Sequence, residues 1–251
     1  MDDAALLRRA QAGNSGFFRM VGRGSEARLY ETPGVSATVV PAAPDRSVVN
    51  CVSYEERAAL MDALDDLAEV YREAGVIAWT VWVPEDDRGT GARLARAGHQ
   101  LDGRPALMGV GLEEVAHPDL GDLDWERMEH SPEVGPLNDL AYGYDGSFAR
   151  AMEGVADEAA IAYLARVEGR PASCLVTFDH GDDCHIGLVA TDPARQRRGL
   201  AGRLLAQALA EARDRGQTST TLIASPAGFP VYQRLGYRPL GGIEMWERRV
   251  S

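Results

Sequence analysis

Apolar positions recur along this chain with two periods, and switches between them outline the predicted elements. A helical spacing places Leu60, Leu64, Leu67 and Tyr71 on one face over residues 54–74, with Gly75 as the stop. A short helix is expected at 2–12, and residues 13–24 read as a loop. Extended runs predict strands at 27–31, 36–40, 48–52, 76–83 and 106–112, with a short helix at 92–97 ended by Gly98. Gly89-Thr90-Gly91 reads as a loop.

Residues 113–122 carry His117, Pro118, Gly121 and several carboxylates, the composition of a linker, so two domains are expected, 1–115 and 116–251. In the second half, strands at 159–167, 172–179 and 184–191 form an antiparallel meander through turns at 168–171 and 180–183. A strand at 123–128 and helices at 136–144 and 147–153 precede it. A helix carrying Leu204, Leu205, Ala208, Leu209 and Ala212 follows, then a strand at 218–224, a short helix at 231–235 and a last strand at 243–248. The predicted class is α/β, with a mixed (α+β) sheet. The two halves also repeat one another. Arg72 to Val83 parallels Arg213 to Ala224, and Leu94 to His99 parallels Tyr232 to Tyr237, in the same order.

The junction after residue 191 carries the candidate chemistry. Asp192 and Pro193 end a buried strand, and Gln196-Arg-Arg-Gly-Leu-Ala201 opens an amphipathic helix. Backbone N–H groups at a helix start have no partner within the helix, and the helix dipole adds positive potential there. Gly199 permits close approach of a ligand, Ala201 is small, and Arg195, Arg197 and Arg198 add charge. These features predict an anion site suited to a pyrophosphate.

The run Gln196-x-x-Gly199-x-Ala201 resembles the acyl-CoA-binding signature of the GNAT N-acetyltransferases, Q/R-x-x-G-x-G/A. A second stretch, Ser225 to Tyr237, is similar to the late signature of that family, N-x-x-A-x-x-h-Y-x-x-x-G-F/Y with h apolar. Tyr232, Gly236 and Tyr237 match it, while Ser225 stands for the usual Asn and Gly228 for the usual Ala. The resemblance implies two tandem GNAT-like domains, acetyl-CoA as co-substrate, and acyl transfer to an amine of a small molecule or peptide. It implies that Val189, Ala190 and Thr191 pair with the pantetheine amides. A backbone N–H near Val189 or Ala190 would stabilise the oxyanion. The diphosphate would rest on the N–H groups of Arg197, Arg198, Gly199, Leu200, Ala201 and Gly202, beside Gln196, and Ser225 would hydrogen-bond the pantetheine arm. Tyr232 would protonate the departing thiolate. For a general base, Glu133, Asp139, Glu168 and Asp179 are all open.

The first half departs from this pattern. No Q-x-x-G-x-G/A precedes its long helix, Glu55 and Glu56 would repel a diphosphate, and Leu94 stands where Tyr232 stands in the repeat. It is read as a degenerate copy that binds no CoA. Capping the site, shaping the acceptor pocket and mediating a homodimer all remain open for it.

Composition narrows the classes further. The 251 residues carry a net charge of -12, which argues against a nucleic-acid partner. All 26 basic residues are arginine, which excludes a phosphate-loop or Schiff-base lysine. Cys51, Cys174 and Cys184 have no disulfide or metal spacing, so a reducing cytoplasm is expected. His180, Asp182, Asp183, Cys184 and His185 straddle one tight turn and are not expected to converge on a metal. No apolar run approaches the ~20 residues of a membrane span. The alternative to an enzyme is a non-catalytic acyl-CoA-binding or regulatory protein.

Overall fold

Strand pairing, rather than sequence order, divides the chain. The computed structural model describes residues 1–24 and 26–250. In chain order its elements are α1 (Asp3–Val21), β1 (Arg28–Thr32), β2 (Val35–Val39), β3 (Cys51–Tyr54), α2 (Arg57–Glu73), β4 (Ala78–Pro84), α3 (Arg88–Arg96), β5 (Gln100–Gly103), β6 (Ala106–Gly111), β7 (Asp124–Met128), α4 (Val134–Tyr142), α5 (Ser147–Ala151), β8 (Ala160–Val167), β9 (Arg170–His180), β10 (Asp183–Thr191), α6 (Leu200–Asp214), β11 (Ser219–Ala224), α7 (Phe229–Arg234) and β12 (Arg238–Arg249).

Two compact units result. One comprises Met1–Phe17, Ala106–Ala149 and Ala156–Gly241; the other comprises Phe18–Pro105, Arg150–Val155 and Gly242–Ser251. They do not follow a single cut between residues 115 and 116. In the first unit β7, β8, β9 and β10 form an antiparallel meander, β11 pairs parallel with β10, and β6 pairs antiparallel with β11 from Ser219↔Gly111 to Ala224↔Ala106. In the second unit β1, β2 and β3 are antiparallel, and β4 runs parallel to β3. Residues Ile243 to Arg249 of β12 pair with β4, and β5 pairs with β12. Each unit therefore takes a strand from the other half of the sequence. β5 lies outside the predicted strands; its alternately exposed residues carry little apolar signal.

The first unit is built on α6. Leu204, Leu205, Ala208, Leu209 and Ala212 pack against Tyr163, Leu175, Ile186, Leu222 and Met108 of its sheet. Against the opposite face lies α1, one 19-residue helix where the sequence predicts a short helix and a loop. Gly13 and Gly16 are the reason. A methyl on Gly13 would lie 2.8 Å from Nδ1 of His185, and one on Gly16 would lie 2.8 Å from Cε1 of Phe178. These glycines let the helix lie close on β9 and β10 and do not break it. Arg9 of α1 donates to the Asp182 carbonyl at 3.1 Å and to the Ser219 hydroxyl at 2.7 Å.

In the second unit Leu60, Leu64, Leu67 and Tyr71 of α2 pack on Val35, Ala37, Val39, Val52 and Val81, and on Trp79, whose ring stacks on Tyr71 at 4.8 Å. Gly89, Thr90 and Gly91, expected as a loop, lie in the first turn of α3. A methyl on Gly91 would run into the Trp246 ring, so this glycine serves close packing. β3, α2, β4 and α3 follow one another as β10, α6, β11 and α7 do, each set containing one parallel strand pair. Left-handed glycines stand at matching places, Gly75 and Gly98 in one set, Gly216 and Gly236 in the other. Among the described residues no helix is long and apolar enough to cross a membrane.

Candidate active site

β10 and β11 part company halfway along. They pair from Asp183↔Ser219 to Ile186↔Leu222 and no further. β10 also breaks register with β9 between Gly187 and Ala190, and Leu188 takes a left-handed φ of 53°. That bulge re-aims the strand. Val189, Ala190 and Thr191, the residues expected to meet a pantetheine arm, lie beyond the last β11 pair.

The strand then ends as the sequence suggests. The Asp192 carboxylate accepts from the Ala194 N–H at 2.9 Å. Gln196 is extended, whereas Arg197 and Gly199 are left-handed, with φ of 60° and 74°. Alternation of hand is the backbone pattern by which successive N–H groups converge in anion-binding nests. The N–H of Arg203 bonds the Gly199 carbonyl at 3.0 Å, so those of Leu200, Ala201 and Gly202 come before the first helical bond of α6. Arg195 is half-buried and Gln196 to Gly199 are exposed. Arg195 pairs with Glu168 at 3.1 Å; Arg197 and Arg198 make no ion pair among the described residues.

α7 adds Tyr232. It follows a turn in which the Ser225 hydroxyl oxygen accepts from the Gly228 N–H at 3.2 Å, leaving the hydroxyl proton to donate. A methyl on Gly202 would lie 3.9 Å from Val231, which puts α7 against the first turn of α6. Tyr232 is only 6% exposed, and its hydroxyl has no hydrogen-bond partner among the described residues. Burial raises its pKa, and the neighbouring Tyr142 raises it further. The phenol therefore stays protonated at neutral pH.

Two residues of α4 that sequence reasoning missed reach the bulge. Asn138 Nδ2 donates to the Leu188 carbonyl at 3.3 Å, and the Tyr142 hydroxyl donates to the Val189 carbonyl at 3.1 Å. Their i, i+4 spacing is a signal, because it sets a polar pair on one face of a largely apolar helix. The ring of Tyr142 stacks on Tyr144 at 5.9 Å.

All four candidates for a general base are engaged elsewhere. Glu133 pairs with Arg166 at 2.8 Å and Glu168 with Arg195. Asp139 accepts from the N–H groups of Phe148 and Ala149, and Asp179 holds Arg215 through both oxygens. Of the residues around the 180–183 turn, Cys184 faces the α6 core. Asp183 accepts from Ser219 and Thr221, and His185 Nδ1 lies 3.1 Å from the Thr221 hydroxyl.

Residues 142–247 match the family model of the acetyltransferase (GNAT) domain. Two curated proteins of Streptomyces griseus, an uncharacterized N-acetyltransferase and the uncharacterized N-acetyltransferase ORF5, are each 34% identical to the chain over 143 residues. Those residues are 51% of this chain and 34% of each relative, so the chain spans about a third of the length of the curated relatives it matches. Among solved structures, a GCN5-related N-acetyltransferase from Kribbella flavida shares the fold with a TM-score of 0.71 at 18% identity, over 96% of both chains. A tandem GNAT protein from the clavulanic acid biosynthesis pathway does so with a TM-score of 0.62 at 14% identity, over 94% of this chain and 87% of its own. The second half of the chain is thus similar to GNAT N-acetyltransferase domains.

Proposed function

We propose that this domain transfers an acetyl or other short acyl group from acetyl-CoA to an amine of a small molecule or peptide. The observation that carries the reading is the parting of β10 from β11 at a bulge, just before a helix start with free N–H groups. The diphosphate rests on the N–H groups of residues 197–202, and the pantetheine arm pairs with Val189 to Thr191 as an added strand. The amine nitrogen attacks the thioester carbonyl, a bulge N–H stabilises the oxyanion, and the C–S bond breaks. Tyr232 gives its proton to the departing thiolate, and the one proton lost by the neutral amine passes through solvent to restore the phenol.

The first half fits a degenerate copy in a tandem arrangement. The shared order of elements and the matching left-handed glycines support this. Only Glu55 and Glu56 separate β3 from α2, too few for a diphosphate loop. Arg57 there is bound to Asp87 and Thr90, and Asp87 also accepts from Tyr54. The three cysteines are free and buried, in keeping with a reducing cytoplasm.

Release of free thiol from acetyl-CoA in the presence of a panel of amines tests the reading. Amine-dependent release supports it. Binding of acetyl-CoA without release would mark the protein as an acyl-CoA-binding or regulatory one.

A further inference from the structure

Leu188 is a branched residue held in a left-handed conformation, and such a conformation persists only where its surroundings fix it. The fixing groups are visible. Asn138 Nδ2, itself buried, bonds the Leu188 carbonyl at 3.3 Å and is anchored by the Val134 carbonyl at 2.9 Å. The Cys174 thiol also points at the Leu188 carbonyl, at 3.6 Å. One helical turn on, the Tyr142 hydroxyl bonds the next carbonyl, that of Val189, at 3.1 Å. Two side chains at i and i+4 of α4 thus grip two successive carbonyls of the bulge.

A carbonyl and the following N–H belong to one rigid peptide plane. Holding the carbonyls of Leu188 and Val189 therefore sets the direction of the N–H groups of Val189 and Ala190. The Ala190 N–H turns to the Cys174 side of β9. We propose that Asn138 and Tyr142 are positioning residues, which hold the bulge so that the Val189 N–H is aimed at the thioester oxygen. The inference rests on acyl-CoA lying in the gap between β10 and β11. Neither side chain touches the reacting atoms in this role; both act through the backbone.

Tyr142→Phe keeps the ring and removes only the hydroxyl, and Asn138→Leu keeps the volume and removes the amide. Each should lower kcat about tenfold, the scale of a small misplacement of an oxyanion donor, with KM for acetyl-CoA nearly unchanged. The carbonyl stretch of bound 13C-labelled acetyl-CoA, read by infrared difference spectroscopy, should move toward its value in water in both variants. Melting temperatures identify any loss due to unfolding, and Tyr142→Phe, at a half-exposed site, keeps the test open should Asn138→Leu fail to fold. If the wild type binds acetyl-CoA and turns over while Tyr142→Phe leaves both kcat and the carbonyl band unchanged, the clamp is overturned. If the wild type binds no acetyl-CoA, the functional reading itself fails.

Discussion

A methyl group on Gly228 would lie 2.9 Å from Cε2 of Tyr232 and 3.3 Å from its hydroxyl oxygen. The alanine that the GNAT pattern often carries at this place would thus press on the proposed acid. The ring is buried and has little room to yield. Gly228→Ala should lower kcat about tenfold by moving the hydroxyl. It should also lower stability by about 1–3 kcal/mol, the usual range for overpacking. Steady-state kinetics and denaturant unfolding check both, and unchanged values would show that the ring moves freely.

Tyr232→Phe should reduce kcat about 10²-fold, a typical contribution of general acid catalysis, and leave CoA affinity nearly unchanged. The active form of the group is the protonated phenol. Burial raises its pKa above the ordinary value near 10, so any alkaline limb due to Tyr232 lies above that pH. A kcat profile in which the wild type, but not the phenylalanine variant, declines between about pH 8 and 10 would contradict this.

The chemistry of this chain is local in sequence, and most of its fold is not. Gln196, Gly199 and Ala201 sit within six residues, and their strand-to-helix setting is legible from apolar periodicity. The left-handed φ of Gly199 is a local demand that only glycine meets without strain. Strand exchange is not legible, because β6 and the end of β12 read the same whichever unit they join. Gly13 and Gly16 mislead in the opposite direction. As breakers they predict a loop, yet the sheet beneath them requires small residues. Asn138 and Tyr142 act across about fifty residues on carbonyls, which have no sequence signature.

Gly199→Ala separates backbone strain from obstruction. A methyl there meets nothing within 4 Å, but φ is 74°. The variant should lose about 1–2 kcal/mol of stability, the cost of a left-handed alanine. Its binding of CoA should fall only modestly. Unfolding curves matching the wild type would mean that the loop relaxes to another conformation.

Acid should destabilise the protein well above the carboxylate range. Burial lowers the pKa of His99 to about 4 and that of His185 to about 3. Both are neutral in the fold, and an unfolded histidine takes up a proton near about pH 6.5. Stability is therefore full above that pH and falls as pH drops through it, by about 1.4 kcal/mol per pH unit for each histidine, until the folded pKa values are reached. Asp183, whose pKa burial raises, works in the opposite direction as it takes up its proton. Neither ring nitrogen of His99 has a partner within hydrogen-bond distance among the described residues, so His99→Phe should flatten the pH dependence. Urea midpoints measured from about pH 7.5 to 5 decide the matter, and equal slopes in the two proteins would refute it.

Calorimetric titration of acetyl-CoA into the wild type and into Gly199→Glu tests the diphosphate site most directly. The expected result is one molecule bound per chain by the wild type and none by the variant, with the variant still folded by circular dichroism. Wild-type affinity retained in Gly199→Glu, or two molecules bound per chain, would contradict a single site at the start of α6.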